Sequence, residues 1–167
     1  MKPSALILTA LLALTTAAPA QTAAPAEPLG LNIKQDIKAV YQVSEAAEHE
    51  DIDKGLFYAR KLADTYQRLG IAPEQVRLHI VYHSDAIAAV LDDAAWQRLT
   101  KKTGTNPNRD ALAQLVAHGI HIEVCADTLK RKSIEPTELL PGVVRVVGAY
   151  PRLVDLQLQG LAYIKFE

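Results

Sequence analysis

A single cysteine, Cys125, stands where the apolar run Ile120-His121-Ile122-Glu123-Val124 gives way to a helix-forming segment beginning Ala126-Asp127-Thr128. In open parallel sheets, ligands and reactive side chains gather beyond the carboxyl ends of the strands, where the amides of the following helix point at them. The field at a helix start lowers a thiol from its reference pKa of ~8.5 and favours the thiolate, which is the nucleophilic form. Asp127 opposes that effect with a negative charge close by. The sulfur is therefore expected to be open to solvent at the rim of a sheet; the competing role for Cys125 is that of a small buried hydrophobe closing its strand.

His83 is the best companion for the thiol, because it should project from another strand's carboxyl end on the same rim. A neutral imidazole there could take the thiol proton, and a charged one could hold the thiolate. Packing, or capping of the Ser84-Asp85 turn, is the simpler role for the same histidine. Asp85 reads as a helix N-cap. Asn106 and Asn108 could offer amides to a bound small molecule, although turn formation and helix capping also account for both. His83, Asp85, Asn106 and Asp127 are thus the candidate binding residues beside Cys125, the one candidate catalytic residue.

The five histidines, His49, His79, His83, His118 and His121, show no tight Cys/His spacing, so no metal site is expected. His79 and His83 would lie on one strand face about 13 Å apart at ~3.3 Å per residue, too far to share an ion. No Gly-rich phosphate loop follows Val43, since Ser44-Glu45-Ala46-Ala47 lacks glycine, which argues against a nucleotide or flavin; no cofactor is expected. Glu45, Glu48, Glu50 and Asp51 read as a solvated acidic loop.

The elements that must carry these residues follow from local pattern. Lys38 to Val43 is β-prone, and from Asp53 the apolar residues Leu56, Ala59, Leu62, Ala63, Tyr66 and Leu69 recur at helical spacing until Gly70. Val76 to Tyr82 reads as a second strand, followed by a helix capped by Ser84 or Asp85 and running to Leu91. Asp92 to Lys102 continues as helix, Asn106-Pro107-Asn108 breaks it, and Asn108 caps the next helix, which Gly119 stops. The strand leading to Cys125 comes next. Val143 to Val147 reads as a buried-type strand, Pro151 suits the first turn of a helix through Gln159, and Leu161 to Phe166 is the last strand. Strands alternating with helices imply a three-layer αβα sandwich around a mostly parallel five-stranded sheet, for which a flavodoxin-like order is expected.

The amino-terminal residues read as an export signal: Lys2, the apolar stretch Ala5 to Leu14, and an Ala18-Pro19-Ala20 cleavage site. The uncharged core is shorter than the ~20 residues a membrane span requires. Residues 1–20 are therefore a cleavable signal peptide, 21–32 a flexible Ala/Pro-rich tether, and 33–167 one α/β domain. A periplasmic or secreted location follows, with no membrane contact after cleavage. There an unpaired cysteine is either inert or kept for intermolecular chemistry. With 18 basic and 19 acidic residues the chain lacks the electrostatic footprint of a nucleic-acid binder.

Gly119-Ile120-His121-Ile122-Glu123-Val124-Cys125 with Arg131 beyond it resembles the DsrE/DsrF-like family of sulfur-handling proteins, in particular its exported branch. Tyr82-His83, Asn106-Pro107-Asn108, Leu139-Leu140-Pro141-Gly142-Val143 and Gln157 to Ile164 extend the resemblance over about Asp36 to Phe166. The resemblance implies a flavodoxin-like domain assembling as a homotrimer or homohexamer, with a cysteine at the Cys125 position that carries persulfide sulfur. A sulfur donor or acceptor, protein or small compound, would be its partner. Asp127 and Ser84-Asp85 depart from the family pattern. Two other functions stay open: a non-enzymatic oligomeric module that binds a small ligand or partner, and a soft-metal binder using Cys125 with a histidine.

Overall fold

A computed structural model of the chain describes residues 29–166. The expected signal peptide and the tether as far as Pro28 lie outside the described residues. The chain divides into two units, residues 1–31 and 32–167. Of the first, Leu29, Gly30 and Leu31 are described, and all three are exposed.

The second unit is built on five parallel strands: β1 (Ile37–Val43), β4 (Val76–Tyr82), β5 (His121–Cys125), β6 (Val143–Val146) and β7 (Ala162–Phe166). They lie in the order β6-β5-β4-β1-β7. A short antiparallel hairpin, β2 (Glu48–His49) and β3 (Ile52–Asp53), occupies the loop expected to be merely solvated. Glu50 and Asp51 turn it with positive φ at both positions, as a two-residue hairpin of right-handed twist requires.

The αβα class is as expected, but the strands run 4-3-2-1-5 in chain order where a flavodoxin sheet runs 2-1-3-4-5. The consequence is an uneven pair of layers. Right-handed crossovers that step in one direction from β1 to β6 put every connection on one face. That face carries α1 (Lys54–Arg68), α2 (Asp93–Thr100), α3 (Arg109–Ala117) and α4 (Ala126–Arg131). The last crossover reverses direction, so α5 (Ala149–Leu158) lies on the other face, against β1 and β4. Alternation along the strands sorts the core accordingly. Tyr41, Val43, Leu78, Ile80, Tyr82, Ile122 and Val124 pack with Leu56, Leu112 and Leu115, whereas Val40, Val81 and Cys125 pack with Ala149, Leu153 and Leu156.

Helix α1 starts where periodicity placed it, with Asp53 as N-cap accepting from the Leu56 amide at 3.1 Å. Helix α3 ends at Gly119, whose φ of +78° is the left-handed stop that favours glycine. Three expectations are corrected. Ser84–Val90 is a 3-10 helix, and neither Ser84 nor Asp85 caps it: extended His83 precedes it without a capping bond, and the Asp85 carboxylate pairs with Lys132 at 2.7 Å. Asn108 does not cap α3 through its side chain, because its Oδ1 accepts from the Asp53 amide at 2.6 Å instead. Strand β6 is not buried on both faces: it ends the sheet, and Val144 is exposed. Among the described residues no helix is long and apolar enough to cross a membrane.

Candidate functional site

Cys125 is the last residue of β5 and the N-cap of α4, on the sheet face covered by α5. Glycine 148 caps α5, whose first amide, that of Ala149, also faces the sulfur. Two helix starts therefore converge on one atom. Burial pushes the thiol up, but the Thr128 hydroxyl and the amides of Thr128, Ala149 and Asp127 outweigh it and hold the pKa below the ordinary cysteine value. Cys125 makes no capping hydrogen bond of standard geometry with α4, so these groups act on the sulfur as oriented dipoles.

Thr128 is 1% exposed and already serves as acceptor twice: Arg131 Nη2 donates to its Oγ1 at 3.0 Å and the Ser84 amide at 3.4 Å. A hydroxyl has one hydrogen to give, and with both acceptor positions engaged that hydrogen is left for the sulfur. The Arg131 guanidinium thereby polarises the donor that faces the thiolate.

His83 follows β4 on the same side of the sheet. Tyr82 pairs with Val124 in register, so His83 and Cys125 are the next neighbours along the rim. The ring is buried, and its hydrogen bonds go elsewhere. Gln42 Nε2 lies 2.8 Å from His83 Nε2, and Ser84 Oγ lies 3.0 Å from Nδ1. The Tyr163 hydroxyl donates to Gln42 Oε1, which fixes the amide so that its NH2 faces the imidazole. His83 Nε2 is then the acceptor and Nδ1–H the donor to Ser84. Burial lowers the His83 pKa, and the charges of Arg131 and Lys165 lower it further, so the ring is neutral at physiological pH. Its role is to order Ser84, whose amide reaches Thr128, and it is not hydrogen-bonded as the base of the thiol.

The structure thus unites two of the expected residues with Cys125 and separates the others. Asp127 stands in the first turn of α4, exposed, and it acts on the sulfur through its amide, which lowers the thiol pKa, in place of the expected repulsion by its carboxylate. Asp85 lies beside Lys132 and lines a cavity with no residue in common with this site. Asn106 is a buried clamp. Its Nδ2 donates to the carbonyls of Leu91 at 2.7 Å and Ala88 at 3.2 Å, while its Oδ1 accepts from the Asn108 amide at 3.0 Å, leaving nothing for a ligand. The expected exposure of Cys125 is corrected as well, since the residue is 5% exposed. The first turn of α5 and Val81 cover it, because α5 must seat Ala149 and Leu153 on the sheet.

Sequence reasoning missed Thr128, Gln42, Ser84, Arg131 and Tyr163 as parts of the site. Thr128 had a readable signal: Cys-x-x-Thr is the N-cap to N3 spacing at which a helix's third residue reaches back to its cap. Gln42 and Tyr163 had none, being 121 positions apart in sequence.

A further buried cluster lies toward the other end of the same face. Glu123 accepts from Arg152 Nε and Nη2, both at 2.7 Å, and its Oε1 is 2.6 Å from His79 Nδ1. Burial pushes the Glu123 carboxyl up, but these partners prevail and hold it down at about 2. The His79 ring stacks on that of His121 at 4.3 Å. Among the described residues no group of three His, Cys, Asp or Glu side chains is arranged to hold a metal ion.

Comparison with solved structures finds the same fold in a protein of unknown function, MTH1491 from Methanobacterium thermoautotrophicum, with a TM-score of 0.61 and 21% identity over 78% of this chain and 100% of that one. The ychN protein from E. coli matches over the same shares of the two chains, with a TM-score of 0.53 and 21% identity. At that identity the likeness is one of fold. No curated protein is significantly similar to the sequence. The model of the DsrE/DsrF-like family matches residues 34–166, the span that carries the sheet, the buried thiol and its donors, and the chain belongs to that family.

Proposed function

We propose that this protein is an exported sulfur carrier in which Cys125 takes up sulfane sulfur as a persulfide. The observation that carries the reading is the convergence of the α4 and α5 starts, with the Thr128 hydroxyl, on one sulfur whose pKa they lower. In the proposed step the Cys125 thiolate attacks a terminal sulfur of an inorganic polysulfide. A new S–S bond forms, the adjoining S–S bond of the polysulfide breaks, and a polysulfide one sulfur shorter leaves with the electron pair. The product Cys–S–S⁻ keeps the negative charge beside the same amides, which suit an anion whether it is a thiolate or a persulfide. Burial shields the persulfide from adventitious thiols, and access to partners then requires the first turn of α5 to open.

Intact mass after incubation with polysulfide tests the reading. A +32 Da species, absent from Cys125→Ala and discharged by a small thiol once the protein is unfolded, is the expected result. Absence of that adduct from the folded wild-type protein would overturn it.

A further inference from the structure

A concavity opens on the opposite face of the sheet from Cys125, and none of its lining residues belongs to the Cys125 site. Its volume of about 400 Å³ falls within the range of small-molecule sites. It lies beyond the carboxyl ends of β1 and β4, roofed by the β2–β3 hairpin and by α2.

One charged side chain in its wall is buried. Asp53 is 4% exposed, and among the described residues the donors that hold it are neutral: the Tyr82 hydroxyl at 2.7 Å and the Leu56 amide at 3.1 Å, both to Oδ1, and the Gly55 amide. An ionised carboxylate accepts about four hydrogen bonds, so these three leave room for another donor. The charge that acts on Asp53 is that of Glu48, its cross-strand neighbour in the hairpin, and it has the same sign. At the mouth, Glu48 pairs with Lys102 at 2.8 Å and Asp85 with Lys132 at 2.7 Å. The lysines are committed to rim acids, and the charged lining keeps one negative charge in excess, seated on Asp53. The uncharged wall is Trp96, Leu99 and a run of alanines, with Thr100 and Asn108 beside them. An indole face attracts cations.

We propose that this cavity is a binding site for a small organic cation, an ammonium group on an apolar body, with Asp53 as its counter-ion and Trp96 as its aromatic wall. The absence of a three-ligand cluster among the described residues favours an organic cation over a metal ion. Burial has pushed Asp53 up to about 6, and a cation in contact with it reverses that effect. Binding therefore strengthens as pH rises through about 6 and fades below it. The site is independent of the sulfur chemistry and stands or falls separately.

Benzylamine serves as the probe and benzoate, of similar shape and opposite charge, as its control, with Trp96 fluorescence and calorimetry as readouts on the intact protein. The expected result is saturable benzylamine binding that weakens about tenfold between pH 7.5 and pH 5.0, as protonation of a group near 6 requires. Asp53→Asn keeps a capping oxygen while removing the charge, and it should abolish binding. Ala88→Leu, which fills the cavity without touching Asp53, should do the same, and it serves as the test if Asp53→Asn does not fold. Benzoate binding as well as benzylamine, binding retained in either folded variant, or no benzylamine binding to the wild type would overturn the proposal.

Discussion

Thr128 performs the service that the sequence suggested for His83. Its hydroxyl accepts from Arg131 and Ser84 and lowers the pKa of the sulfur, so replacing it removes that stabilisation of the thiolate. A hydrogen bond to a charged group contributes ~1.5–3 kcal/mol. Thr128→Val should therefore raise the thiol pKa and cut the alkylation rate at neutral pH by about tenfold or more, with Thr128→Ser restoring both. The full pH profile of iodoacetamide alkylation measures this, and an unchanged midpoint in Thr128→Val would refute it. Glu123 offers a second test, of stability. Its carboxyl is held at about 2, below the ordinary 4.5, so the stabilisation it gives is fully present above about 4.5 and is lost as pH falls toward 2. Glu123→Gln leaves Arg152 and His79 facing a neutral amide on a buried face and should cost roughly 3 kcal/mol at pH 7 by denaturant unfolding. Of this site, Cys125 could be read from residue type and position alone. Thr128 was legible from its Cys-x-x-Thr spacing, but Ala149 was not, because it reaches the sulfur only once the sheet is assembled, as the Gln42–Tyr163 pair reaches His83.

The start of helix α1 shows how a locally readable element acquires a nonlocal burden. Asp53 is a good cap by type, and the spacing of Leu56, Ala59 and Leu62 places the helix correctly. Packing then buries the cap, which is also the last residue of the hairpin's second strand, with Gly55 close by: a Cβ at Gly55 would come within 2.5 Å of Val43 Cγ2 and 3.2 Å of the Tyr82 hydroxyl. The raised pKa has a definite sign. Folding favours the protonated acid, so the stability linked to Asp53 is fully present below its ordinary 3.8 and is lost as pH rises through about 6. Asp53→Asn retains an effective cap and removes the buried charge, so it should be neutral or stabilising at pH 7. Asp53→Ala should lose about 1 kcal/mol from the missing cap. A melting series of the three proteins at pH 4.5 and pH 7.5 separates charge from cap, and equal losses in both variants would contradict the assignment. The main strands and helices were legible because alternation and 3.6-residue periodicity are local. The 3-10 geometry of Ser84–Val90 and the edge position of β6 were not, since they depend on the Asn106 clamp and on the order of strands.

At the scale of the whole molecule, the strand order leaves the two faces of the sheet unequally covered. Four helices lie on one side and α5 alone on the other, so the far side of α5 shows Tyr150, Val154 and Leu158 at 68%, 55% and 84% exposure. Those positions repeat every four residues and form one stripe, continued at the helix entry by Val147, which is 87% exposed. Scattered surface hydrophobes need no explanation, but a contiguous stripe on one helix does. The expected homo-oligomer supplies one: we propose that the stripe meets a second copy of this chain. Such a contact would also govern the thiol, because the first turn of α5 both covers Cys125 and carries Tyr150, whose ring lies 5.4 Å from that of His83. Sedimentation of the wild-type protein should then give a mass above one chain, and the double variant Val154→Glu, Leu158→Glu should give a folded monomer. The same variant should alkylate faster at Cys125, because an α5 released from its neighbour opens more readily. A wild-type monomer at micromolar concentration, or an oligomer indifferent to both charges, would separate the stripe from assembly and leave the covering of the thiol to α5 alone.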